Sequence, residues 1–96
     1  MKSRKEILSL LSKMKPELVA RFKVRKIALF GSYAREEQNE ASDVDILVDI
    51  DPSIGLEFVS MSEKIEHLLG IPVQVVSHRA IKKKRMKFIE QDLIHV

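Results

Sequence analysis

The sequence predicts a small α/β domain: a mixed sheet of three or four strands with helices packed against it. Three observations lead there. Short apolar runs at 24–30, 43–50 and 71–76 read as strands. Segments of helical period lie between and around them. The chain has 96 residues, which suits one domain (1–96) with a modest core.

Residues 3–14 carry Ile7, Leu8, Leu11 and Met14 on one face, and Ser3 and Glu6 have capping-box spacing. Lys15-Pro16 is expected to break this helix and open a second short one, with Leu18, Val19 and Phe22 inward. The run 24–30 is almost continuously apolar, which predicts an interior strand. Residues 33–42 read as a polar loop or short helix. The second strand covers 43–50, and Asp51-Pro52-Ser53-Ile54-Gly55 is a turn. Residues 56–69 give the longest helix signal, with Phe58, Met61, Ile65 and Leu68-Leu69 at helical spacing and Gly70 as the stop. The third strand is 71–76. Ser77 can cap a last helix whose inner face holds Met86, Ile89 and Leu93.

Bulk properties exclude several classes. An apolar fraction of 45% with 32% charged residues is that of a folded chain. The absence of cysteine rules out disulfides and thiolate metal sites. No apolar run approaches the roughly 18 residues of a membrane span. Lys2, Arg4 and Lys5 are followed by Lys13 and Lys15 rather than by a cleavage site, so no signal peptide is expected and the expected location is the cytoplasm. A net charge of +3 does not indicate a nucleic-acid binder.

The chemistry concentrates in GSYAREEQNEASDVDILVD, residues 31–49. Gly31-Ser32 follows the first strand, ten residues intervene, and Asp43-Val44-Asp45 opens the second. Residues i and i+2 of a strand share a face, so Asp43 and Asp45 project together. Paired carboxylates repel unless a cation sits between them. Mg²⁺ suits such a pair, because it takes one or two carboxylates plus substrate phosphate oxygens. Gly31 lets the backbone approach a ligand, and Ser32 offers a hydroxyl and an N–H to a phosphate. Either half alone is ordinary: Gly-Ser is a common turn and Asp-x-Asp a common solvated edge. The joint pattern, at the ends of two strands, is far more specific. Arg35 can reach a triphosphate or pair with Glu36, Glu37 and Glu40 at the surface. Tyr33 reads as packing or as a site contact, and Asp49 and Asp51 as solvated strand-end acids.

This stretch resembles the signature of the DNA polymerase β-like nucleotidyltransferases, and most of all their smallest members, the minimal nucleotidyltransferase (MNT) domains. The resemblance runs from Val24 to the ending Asp92-Leu93-Ile94-His95-Val96. It implies the polymerase β-like fold, Gly31 and Ser32 on the nucleotide phosphates, and Asp43 and Asp45 as catalytic Mg²⁺ ligands. It also implies ATP as substrate. The family places a third carboxylate on a later strand, where this chain has Gln74. An amide carries no charge and cannot act as a base. Glu36 is a second departure, at a position where the family often has glycine.

The resemblance further implies nucleotidyl (AMP) transfer to a partner protein, with the chain as antitoxin of a HEPN/MNT toxin–antitoxin pair. The alternative is a binding module that neutralises a HEPN partner by contact, favoured by Gln74. The basic run 78–87 reads as a solvated face; without interleaved aromatics it gives only weak support to a nucleic-acid contact.

Overall fold

In the computed structural model, which describes residues 2–96, the first helix, α1 (Arg4–Phe22), starts at the predicted capping box. Glu6 N–H donates to Ser3 Oγ at 3.1 Å, and Ser3 N–H donates to Glu6 Oε1 at 3.2 Å. The expected break at Lys15-Pro16 does not occur: α1 runs through Pro16. The apolar stripe explains this. Ile7, Leu11, Met14, Leu18 and Phe22 repeat at helical spacing across the proline, and all five are buried. Burying each is worth about 1.5–3 kcal/mol, so the continuous stripe outweighs the ~3 kcal/mol cost of an interior proline.

Next come β1 (Val24–Phe30), α2 (Gly31–Ala34), β2 (Val44–Ile50), α3 (Glu57–Leu69), β3 (Val73–Ser77), α4 (Lys83–Glu90) and β4 (Ile94–His95). The strands form a four-stranded mixed sheet in the order β3-β2-β1-β4. β1 is interior, as its apolar run predicts, and antiparallel to β2 and β4. β2 and β3 are parallel, with α3 in the connection.

Alternation divides the sheet's faces. Ile27, Leu29, Val44, Ile46, Val48 and Ile50 join the α1 stripe and Met61, Ile65 and Leu69 of α3 in the main core. The opposite face carries a smaller cluster of Ala28, Phe30 and Leu47 under Ile89 of α4. Asp45, which alternates with Val44 and Ile46, belongs to this second, thinly covered face.

Several boundaries differ from expectation. β2 starts at Val44, so Asp43 immediately precedes the strand. β3 begins at Val73 because Pro72 has no N–H for the ladder; its carbonyl instead accepts from Val44 N–H at 3.0 Å. Ser77 makes no side-chain cap; a 3₁₀ turn, His78–Ala80, intervenes before α4. Leu68 points outward, 46% exposed, while Leu69 takes the inner position. Gly70 ends α3 at φ 68°, as read. The two-residue β4 pairs with Ala28 and Leu29, extended by Val96 N–H to the Ile27 carbonyl at 2.9 Å.

Candidate functional site

Asp45 sits in the second rank of β2 with a neighbour on each side. Phe30 of β1 is its partner across one ladder and Gln74 of β3 across the other. Paired residues in a ladder share a face, so Gln74 lies beside Asp45, exposed to solvent. Asp43 is exposed two residues earlier. Gly31 follows Phe30 directly and adopts φ +77°, a left-handed conformation that glycine enters freely. A Cβ on Gly31 would run into the Asp45 carboxylate, 3.0 Å from its Cγ. The missing side chain is therefore the space that Asp45 occupies.

The one-turn α2 fixes the rest of this corner. The Gly31 carbonyl accepts from Arg35 N–H at 3.1 Å, and the Ser32 carbonyl accepts from Glu37 N–H at 2.9 Å. First-turn N–H groups have no partner inside a helix, so this turn leaves donors for an anion. Tyr33 and Ala34 are buried, which makes Tyr33 a packing residue. Arg4 donates to the Ala34 carbonyl at 3.1 Å and pairs with Glu36 at 2.5 Å, tying the loop to the start of α1.

The electrostatics follow from this packing. The Asp45 carboxyl is held above the usual carboxylate range, first by burial and then by the negative charge of Asp43; Arg85 and Arg35 pull it partly back. Arg35 is engaged at the surface: its NH1 meets Asp92 Oδ2 at 2.8 Å and its Nε meets Glu37 Oε2 at 3.1 Å. These bonds raise its pKa further, Asp92 contributing most. Of the two expectations for Arg35, surface pairing is the one the structure displays, with Asp92 rather than Glu36 or Glu40 as the main partner.

Two carboxylates beside an amide oxygen form a hard-oxygen donor set, the chemistry that Mg²⁺ prefers. Among the described residues no group of three or more His, Cys, Asp or Glu side chains is placed to hold a metal. The pair thus suits an ion that draws its remaining ligands from substrate and water.

Farther along the same face, a cavity of about 560 Å³ opens between α4 and the sheet. Ala28, Leu47, Met86 and Leu93 line it with apolar surface, and Lys26, Asp49, His78, Glu90 and His95 with polar groups. It begins at Leu47, one step along β2 from Asp45. Asp49 is thus a half-buried wall residue rather than a fully solvated acid. Asp51 is different: it accepts from Ser53 N–H at 2.8 Å and caps the turn Pro52–Ile54.

Sequence reasoning missed Asp92 and Arg85. The available signal was the spacing 85, 89 and 92, which places both on the side of the last helix that carries Ile89.

Residues 11–95 match the family described as the nucleotidyltransferase domain. The chain is 44% identical to the protein adenylyltransferase MntA of Thermococcus cleftensis, over 95% of this chain and 93% of that one. A Methanocaldococcus jannaschii relative, also named as a protein adenylyltransferase, is 43% identical over the full length of both chains. Among solved structures, a minimal nucleotidyltransferase superposes with a TM-score of 0.73 at 29% identity, over 92% of this chain and 93% of that chain. A toxin–antitoxin structure with AMP-PNP gives 0.64 at 23% identity, over 98% of this chain and 72% of the other, and so shares the fold. A match spanning nearly the whole chain, and relatives of the same length, mean that the chain belongs to the nucleotidyltransferase domain family, as a minimal transferase of polymerase β-like fold.

Proposed function

We propose that the protein binds Mg–ATP and transfers AMP to a partner protein, as the cytoplasmic antitoxin of a HEPN/MNT pair, acting as a single domain over 1–96. The observation that carries this reading is the interlock of Gly31 with Asp45, which brings a phosphate turn and a metal carboxylate together. Identity of 44% to an adenylyltransferase supports a protein acceptor. The likeness to a toxin–antitoxin structure with AMP-PNP fits a partner and an adenine nucleotide.

In this reading Gly31 and Ser32 hold the β- and γ-phosphates through backbone N–H groups and the Ser32 hydroxyl. Arg35 leaves Asp92 to meet the triphosphate. Asp43 and Asp45 hold Mg²⁺, which when bound neutralises the phosphates and steadies the leaving pyrophosphate. The acceptor hydroxyl oxygen bonds to the α-phosphorus, the bond to the β-bridging oxygen breaks, and the hydroxyl proton passes to a carboxylate or to water. The cavity beyond Leu47 gives an acceptor side chain room next to the reacting centre. Gln74 beside Asp45 favours a second reading, in which the chain neutralises its HEPN partner by contact with little turnover.

The test is incubation with α-labelled ATP, Mg²⁺ and the protein product of the adjacent reading frame. Label should appear on that protein, and Asp43→Asn or Asp45→Asn should abolish both transfer and Mg–ATP binding. Neither change should lower the unfolding temperature of the metal-free protein at pH 7. The sign follows from Asp45: its folded pKa lies above its unfolded one, so ionising it costs stability. That cost grows as pH rises through the carboxylate range, and asparagine does not incur it. Variants that bind Mg–ATP like wild type would remove the site assignment. Neutralisation without label would select the contact reading.

A further inference from the structure

Arg85 belongs to a basic run that sequence alone reads as a solvated face, yet it stands apart from its neighbours. Arg85, Ile89 and Asp92 are spaced i, i+4 and i+7, one side of a helix. A turn follows α4, with Asp92 N–H donating to the Ile89 carbonyl three residues back at 3.0 Å, which keeps Asp92 near the side of Ile89. The two later members of the stripe are fixed on the site's face. Ile89 is buried with Ala28, Phe30 and Leu47. Asp92 holds Arg35, four residues past Gly31. The neighbouring stripe of Met86, Glu90 and Leu93 turns instead to the cavity. Arg85 lies one turn before Ile89 on the same side of α4, the side that Ile89 lays on the sheet face carrying Phe30 and Leu47.

We propose that Arg85 is a phosphate-binding residue of the nucleotide site, reaching from α4 to the triphosphate held between Gly31-Ser32 and the Asp43–Asp45 pair. This rests on the reading of that corner as a nucleotide site. A triphosphate together with two carboxylates carries more negative charge than two divalent ions cancel, so the site needs side-chain cations. Arg4, Arg21, Arg25 and Arg35 already have carboxylate partners. Arg79 and Arg85 have none among the described residues and both are exposed; of the two, Arg85 alone lies on α4, in line with Ile89. Its planar fork suits two phosphate oxygens at once, which a lysine ammonium does not reproduce. Lys84 and Lys87 leave α4 in other directions.

The experiment measures Mg–ATP affinity by titration calorimetry for wild type, Arg85→Ala, Arg85→Lys, Lys84→Ala and Lys87→Ala, with thermal unfolding of each. Arg85→Ala should bind about 10–100-fold more weakly, the size expected for a lost charged hydrogen bond. Arg85→Lys should recover part of that loss, and the two lysine variants should stay within about twofold of wild type. Unfolding temperatures should not change, since Arg85 is exposed. Arg85→Ala binding as tightly as wild type would overturn this assignment while leaving the nucleotide site standing. Equal losses in all three alanine variants would also overturn it, because they would mean diffuse attraction by the basic run. Wild type with no affinity for Mg–ATP would overturn both the site and this residue's place in it.

Discussion

Gln74 faces Asp45 across one strand spacing, with an amide where the family places a charge. A third carboxylate there would help hold a metal and draw off the acceptor's proton. Gln74→Asp should therefore speed AMP transfer by about 10²-fold or more, within the usual 10²–10⁴-fold range of a general base. The check is the initial rate of label transfer for wild type and variant side by side. A fast wild type with no gain would mean that Asp43 and Asp45 suffice. Glu36, the other departure, has a backbone reason to stand out. Its φ of 59° is the left-handed conformation that glycine enters freely and other residues enter at about 1–2 kcal/mol. Here its ion pair with Arg4 helps hold it. The residue types of the site, their spacing and both departures were legible in the sequence. The partner of Arg35 was not, because Asp92 lies 57 residues away and only the fold brings the two together.

The elements were legible in proportion to their length and periodicity. β1, β2 and α3 carry strong apolar patterns and appear within a residue or so of their expected bounds. β4 has two residues, too few for any pattern to repeat, and exists because β1 offers it an open edge. A proline is a strong local stop, but the stripe from Ile7 to Phe22 is a tertiary signal that spans it. Pro16 is exposed and makes no core contact that alanine would lose. Pro16→Ala should raise stability by about 1–3 kcal/mol, restoring a backbone hydrogen bond at the cost of some unfolded-state rigidity. Urea unfolding would measure it; a loss of stability would mean that the proline shapes α1 in a way its burial pattern does not reveal.

At the scale of the whole molecule the two sides of the sheet are unequal. α1 and α3 bury a large continuous core, whereas α4 sets one buried residue, Ile89, on three buried residues of the sheet. Ile65→Ala should cost about 3–5 kcal/mol and Ile89→Ala nearer 1–2 kcal/mol, since the thin side can relax around the gap. Amide hydrogen exchange should follow the same order, with α4 opening well before α1 and α3. Equal protection on both sides would contradict this. A loosely held α4 also suits the proposed nucleotide site, where Arg35 would have to part from Asp92, two residues past the end of α4, to meet a phosphate.

The empty place on Gly31 has a consequence for how mutations here would be interpreted. The turn after β1 and the acid on β2 share one wall, and its thickness is a hydrogen atom. A methyl group at position 31 would leave every donor atom in the chain unchanged, yet it would displace the Asp45 carboxylate. If the proposed metal site holds, a screen for lost metal affinity would score Gly31 alongside the aspartates although it offers a metal nothing. Gly31 and Asp45, on either side of the ten residues that separate Ser32 from Asp43, thus act as one steric unit: a side chain added at the first moves the second.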